Sequence, residues 1–117
     1  MHPLGKKNKY IGFLFMEISQ DYFNLGREGI HKISSEHAAH MAKHADKLTH
    51  VVCSGLDARY DQVTMIEADT LEEINAAAVD FRLGAKAKYI RITDVVIGMK
   101  APPRGQRATD GVEAAEA

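Results

Sequence analysis

A single cysteine, Cys53, leaves this 117-residue chain unable to close an intrachain disulfide and rules out the paired-thiol spacing of zinc ribbons. Neither sign of charge is in excess. Fifteen Lys and Arg stand against 16 Asp and Glu, so there is no electrostatic footprint for nucleic acid or an anionic membrane surface. Long apolar runs are missing as well: the longest, Ile11 to Met16, is far too short to span a bilayer. The opening MHPLGKKNKY lacks the apolar core of a signal peptide, and a cytoplasmic protein is the expectation. The chain has no phosphate-cradling glycine loop, nucleophile elbow or dinucleotide fingerprint, which argues against nucleotide-dependent chemistry.

What is present is the composition of one globular domain, 45% hydrophobic and 26% charged. Residues 1–8 are read as a flexible N-terminus and residues 101–117, APPRGQRATDGVEAAEA, as a disordered tail with too little apolar surface to offset its ordering entropy. Residues 9–100 form the domain. YIGFLFMEIS (10–19) reads as a strand buried on both faces. Residues 20–35, broken by Gly26 and Gly29, read as a long excursion with room for a helical turn, either a lid or an arm. A helix capped by Ser34 or Ser35 then runs to about Leu48, with Ala38, Met41, Ala42, Ala45 and Leu48 on its apolar stripe. THVVCSG (49–55) and QVTMIEA (62–68) pair as a hairpin. Thr70 with Glu73 is a capping box that opens a helix carrying Leu71, Ile74, Ala77, Ala78 and Phe81 on one face, and Gly84 is placed to end it in a left-handed cap. KYIRITDVVIG (88–98) is the last strand. The order β-α-β-β-α-β is that of an α+β, ferredoxin-like domain with both helices on one face of an antiparallel sheet.

The alternation within the strands assigns Leu14, Met16, Val51, Cys53, Val63, Met65, Ile90 and Ile92 to the helix-facing layer, with Cys53 as a small core hydrophobe. The opposite phase then holds Phe13, Phe15, Glu17, His50, Val52, Ser54, Thr64, Ile66, Tyr89, Arg91, Thr93 and Val95. Apolar surface with a few convergent polar groups is how ligand pockets are lined, and it also suits two sheets stacked across a two-fold axis. Glu17 and Arg91 are either a structural ion pair or, respectively, a proton-transfer group and an anchor for an anion.

The segment SGLDARYDQVTMIEADTLEEINAAAVDFRLGAKAKYIRITDV resembles the second half of GYD-domain proteins, of the dimeric α/β-barrel superfamily. The features that carry the resemblance are Gly55-x-x-x-Arg59-Tyr60-Asp61, the Ile66-Glu67-Ala68 strand end, an Ala-rich helix followed by Gly84, and a last strand of alternating Arg and Thr. The resemblance implies a homodimer or higher homo-oligomer with a cavity. The wider superfamily includes cofactor-free monooxygenases, isomerases, haem-handling enzymes and ligand-sensing domains.

Three histidines, His37, His40 and His44, recur at helical spacing within roughly 60° of one another, on the border of the apolar stripe. Neutral imidazoles three or four residues apart suit a transition metal, although a ligand from residues 20–35 would have to complete the site. The alternatives are a pocket entrance without metal and a polar helix edge. The reading is therefore a dimeric α/β barrel that binds a small molecule on the sheet face opposite the helices, with no tightly bound organic cofactor. If it is an enzyme, His50 or Glu17 is the acid/base of an isomerase or monooxygenase type of reaction. Arg91, Phe13, Phe15, Tyr89, Thr93, Ser54 and Tyr60 then contact the substrate. The competing readings are a metal- or haem-binding protein using His37, His40 and His44, and a non-catalytic sensor or assembly protein.

Overall fold

The computed structural model describes residues 9–54, 56 and 59–101. The expectations for residues 1–8 and 102–117, and for Gly55, Asp57 and Ala58 of the hairpin turn, lie outside the described residues. Strand β1 (Tyr10–Ile18) leads into a short helix α1 (Gln20–Phe23) and a longer helix α2 (Gly26–His40), followed by a 3₁₀ segment (Ala42–Lys47). Strands β2 (Leu48–Val52) and β3 (Gln62–Ala68) come next, then helix α3 (Leu71–Phe81), a 3₁₀ turn (Ala87–Tyr89) and strand β4 (Ile90–Met99). The sheet order is β2-β3-β1-β4, antiparallel throughout, which is the ferredoxin-like arrangement expected from the element order.

Residues 20–35 are helical rather than an open excursion. Gly26 takes φ +77° and turns the chain between α1 and α2, the conformation that glycine adopts without strain. Gly29 is simply accommodated within α2. The inward residues of this region are His37, Met41 and His44, while Ala38, Ala42 and Ala45 of the expected stripe are exposed. Alanine gains little from burial, and the change from α to 3₁₀ winding after His40 shifts the angular phase on which the stripe depended.

Register corrects two strand phases. Leu14 stands opposite Thr64 and Met16 opposite Gln62, while His50 stands opposite Thr64 and Leu48 opposite Ile66. Cross-strand partners share a face, so Gln62, Thr64, Ile66, Leu48, His50 and Val52 are on the helix side. Val51, Val63 and Met65 are on the open side with Phe13 and Phe15. A register shift after Phe15 places Val95 opposite Leu14, on the helix side as well. Cys53 lies past the end of β2 and is half-buried. Hydropathy alone misassigned these phases because both faces of the sheet are partly apolar.

The core lies between the sheet and α3, where Leu14, Met16, Ile66, Ile74, Ala77 and Phe81 are all buried to 1% exposure or less. Thr70 caps α3: its hydroxyl accepts from the Glu73 amide at 3.2 Å and donates to the Glu73 carboxylate at 3.0 Å. Thr70→Ala is expected to destabilise the fold by about 1 kcal/mol in urea denaturation with an unchanged m-value, and Thr70→Ser to recover most of the loss.

Candidate functional site

The histidine series of α2 divides into two functions. His40 Nε2 donates to the Asp80 backbone carbonyl at 2.7 Å, and His44 Nε2 donates to the Asp80 carboxylate, also at 2.7 Å. Lys43 joins the same carboxylate at 3.1 Å. These contacts latch the α2 region onto α3. The hydrogen bond from His44, then that from Lys43, holds the Asp80 carboxyl below the usual carboxylate range. With both Nε2 atoms spent as donors, His40 and His44 do not converge with His37 on one point. Among the described residues no group of three or more His, Cys, Asp or Glu side chains could hold a metal ion between them.

His37 is different. It is 8% exposed, and neither ring nitrogen has a hydrogen-bond partner. Its ring meets Phe81 edge to face at 4.8 Å. Gly84 lies against its other side, where a Cβ would fall 2.5 Å from Nδ1. That close approach is what requires glycine at position 84, which has no left-handed conformation and does not cap α3 as the sequence suggested. Burial first, then the charges of Lys86, His40 and His50, lowers the His37 pKa from 6.5 to about 4. The imidazole is therefore neutral, with lone-pair capacity unused.

His37 lines a cleft of about 290 Å³ on the helix side of the sheet, together with Ser34, Ala38, Met41, His50, Gln62, Phe81 and Lys86. His50 Nδ1 lies 3.0 Å from the Thr64 hydroxyl, and the Gln62 amide donates to that hydroxyl at 3.0 Å. The Gln62 amide also lies 3.4 Å from His50 Nδ1, so both the Thr64 hydroxyl and this amide can donate to that nitrogen, which fits a neutral ring carrying its hydrogen on Nε2. His50 keeps an exposed edge, yet the crowding of its ring by protein, and then the Lys86 charge, lowers its pKa. Lys86 itself rides over the Tyr22 ring at 5.1 Å, and the Tyr22 hydroxyl is tied to Ser34 at 2.7 Å. The cleft thus offers a lone pair from His37, an N–H from His50 and an ammonium from Lys86 against the apolar walls of Ala38, Met41 and Phe81.

The other residues singled out from sequence are elsewhere. Glu17 and Arg91 are cross-strand partners joined at 3.1 Å in an exposed pair, worth at most about 1 kcal/mol. With Tyr89 they line a separate groove of about 260 Å³ at the sheet end, remote in register from His50. Phe13 stacks on Phe15 at 6.3 Å, and Tyr60 packs on Phe15 at 5.0 Å with its hydroxyl 3.2 Å from Asp94, all on the open face. Thr93 donates to the Phe15 carbonyl and Ser54 to Asp61, so both serve the backbone locally. Sequence reasoning placed Thr64 in the pocket phase but on the opposite face, and missed Gln62, Phe81, Gly84 and Lys86 as site residues. The signal was available in β3, where Gln62 and Thr64 put two polar side chains in the phase that also carries Ile66 and Ala68.

No family model matches the chain, and no curated protein matches it. Solved structures do. A mutant chlorite dismutase from Candidatus Nitrospira defluvii superposes with a TM-score of 0.73 at 17% identity, over 86% of this chain and 43% of that one. The same enzyme in complex with imidazole gives 0.74 at 16% identity, over 86% and 43%. A variant in complex with cyanide gives 0.72 at 17% identity, over 94% and 50%. This chain therefore spans about half the length of the structures it resembles. At such identity the likeness establishes the fold alone, the ferredoxin-like arrangement of sheet and helices described above. The GYD-domain subtype stays an expectation from the 55–61 motif.

Between pH 4 and 6.5 the unfolded chain protonates His37 while the folded chain does not. The stability that a neutral His37 contributes is complete above pH 6.5 and is lost as pH falls towards 4. Urea denaturation across this window is expected to lose up to about 3 kcal/mol, and His37→Gln to flatten the dependence.

Proposed function

We propose that the helix-side cleft is the functional site of this protein and that it binds haem, with His37 as the iron ligand. The observation that carries the reading is the His37 imidazole: buried, neutral and without a partner. Leaving a buried polar group unpaired costs about 1–3 kcal/mol, a cost that a ligand would remove. The donor set suits the group. Neutral imidazole is a good iron ligand, Ala38, Met41 and Phe81 offer an apolar wall, and Lys86 supplies a cation for a carboxylate side chain of the macrocycle. The cleft volume, about 290 Å³, lies just below the usual ligand range of about 300–1,000 Å³. Imidazole and cyanide, found in the chlorite dismutase structures, are both metal-seeking ligands, which favours the same reading. Bound haem would supply redox chemistry. The chain's own part is to hold the group through His37, to present the His50 N–H to a substrate and to draw anions with Lys86.

A second reading, a cofactor-free enzyme of isomerase or monooxygenase type, is favoured by the Thr64–His50 bond, which orients an imidazole of lowered basicity in the cleft. In that case His50 assists proton transfer. Titration of the purified protein with haemin separates the two. The haem reading expects a stoichiometric Soret band that His37→Ala abolishes, while His40→Ala and His44→Ala retain the band in less stable proteins. A band unaffected by His37→Ala, or no saturable binding, rejects it and leaves the cofactor-free reading.

We further infer a homodimer formed through the open sheet face. Phe13, Phe15, Val63 and Met65 are only half-buried there, and Val51 and Val96 are 41% and 52% exposed, too much clustered apolar surface for a small domain to leave in water. Light scattering is expected to give twice the chain mass for the native protein and the single mass for Phe15→Glu. A monomeric native protein would overturn this.

A further inference from the structure

We propose that a second ligand site lies on the β4 side of Phe81 and takes a small monocarboxylate with an apolar body. The cavity there, about 410 Å³, is lined by Phe81, Arg82, Ala87, Ile90, Arg91 and Ile92. Its volume falls within the usual range for ligand clefts, about 300–1,000 Å³. Ile90 and Ile92 stand opposite Ile18 and Met16, so they face the helix side and floor the cavity, with Phe81 as an apolar wall. None of the lining side chains is acidic.

The two arginines are not equivalent. The Arg91 guanidinium is engaged by Glu17 at 3.1 Å on the far side of the sheet. The guanidinium of Arg82, just past the end of α3, has no hydrogen-bond or ion-pair partner among the described residues. An uncommitted guanidinium at the edge of an apolar cavity matches a carboxylate, because its planar fork can give two parallel N–H donors to the two oxygens. One cation suits one negative charge, and the isoleucine floor rewards a hydrocarbon body over a bare inorganic anion.

The site is separate from the His37 cleft. Phe81 alone lines both, so carboxylate binding needs neither iron nor His37, and the inference stands whatever the cleft holds. Because Phe81 also contacts the His37 ring at 4.8 Å, an occupant of the second site presses on the wall of the first.

Octanoate is the probe, titrated into ¹⁵N-labelled full-length protein, with 1-octanol as its neutral counterpart. Saturable shifts are expected at the amides of Arg82, Ala87, Ile90 and Ile92, with octanol at least about tenfold weaker. Arg82→Gln is expected to weaken octanoate at least about tenfold with an otherwise unchanged spectrum, and Arg82→Lys to restore part of the affinity. Ile92→Trp, which fills the cavity, is expected to abolish binding. The proposal is overturned by equal binding of octanol, by indifference to Arg82→Gln, by shifts centred on Ser34, His37 and His50, or by no saturable shift in the millimolar range.

Discussion

The row in which Leu14 faces Thr64, and Thr64 faces His50, is the constraint on which the rest of the site depends. In a strand pair the side-chain period is two, so a slip of one residue would send every side chain to the other face. This register buries the Thr64 hydroxyl completely beneath the helices and leaves it one donor, Gln62, and one acceptor, His50. His50 is thereby brought to the same side of the sheet as His37 and given a defined tautomer. Had β3 paired one residue out of step, Val63 and Met65 would fill that space and the cleft would be apolar throughout.

The second element of the site is a helix that the hydrophobic effect does little to hold. Helix α2 is polar along most of its length, and the only residue it buries is His37. Its placement rests on the Asp80 latch, where the imidazole that ends α2, His40, and the His44 imidazole and Lys43 ammonium that follow it meet one residue of α3. Hydrogen bonds of this kind fix direction as dispersion contacts do not. The latch sets the distance between α2 and α3, and Gly84 permits the remaining approach by presenting no side chain to the His37 ring. A cleft survives between α2 and the sheet because no large apolar side chain of α2 fills it.

Much of the scaffold was legible from the chain alone, and particular residues show why. The Thr70–Glu73 cap and the period of Ile74, Ala77 and Phe81 located α3, because capping and helical amphipathicity are local properties. The alternation of Gln62 to Ala68 located β3 to the residue. The reading of residues 20–35 went astray because glycine signals a break in either of two ways, and only the tertiary structure shows that Gly26 turns the chain while Gly29 does not. The histidines were noticed for their spacing, yet spacing on a helix cannot tell which imidazole finds a partner on another element.

The sequence by itself determined the element order, the antiparallel α+β class and the set of residue types available for chemistry, because helical and strand periodicity, caps and turns act over a few residues. Tertiary structure alone decided which face each strand presents, that His40 and His44 meet Asp80, and that His37 is left buried without a hydrogen-bond partner. Those outcomes depend on contacts between residues distant in the chain, such as Leu14 with Thr64 and His44 with Asp80. No local pattern encodes such contacts; they exist only once packing has chosen the register and the distance between helices.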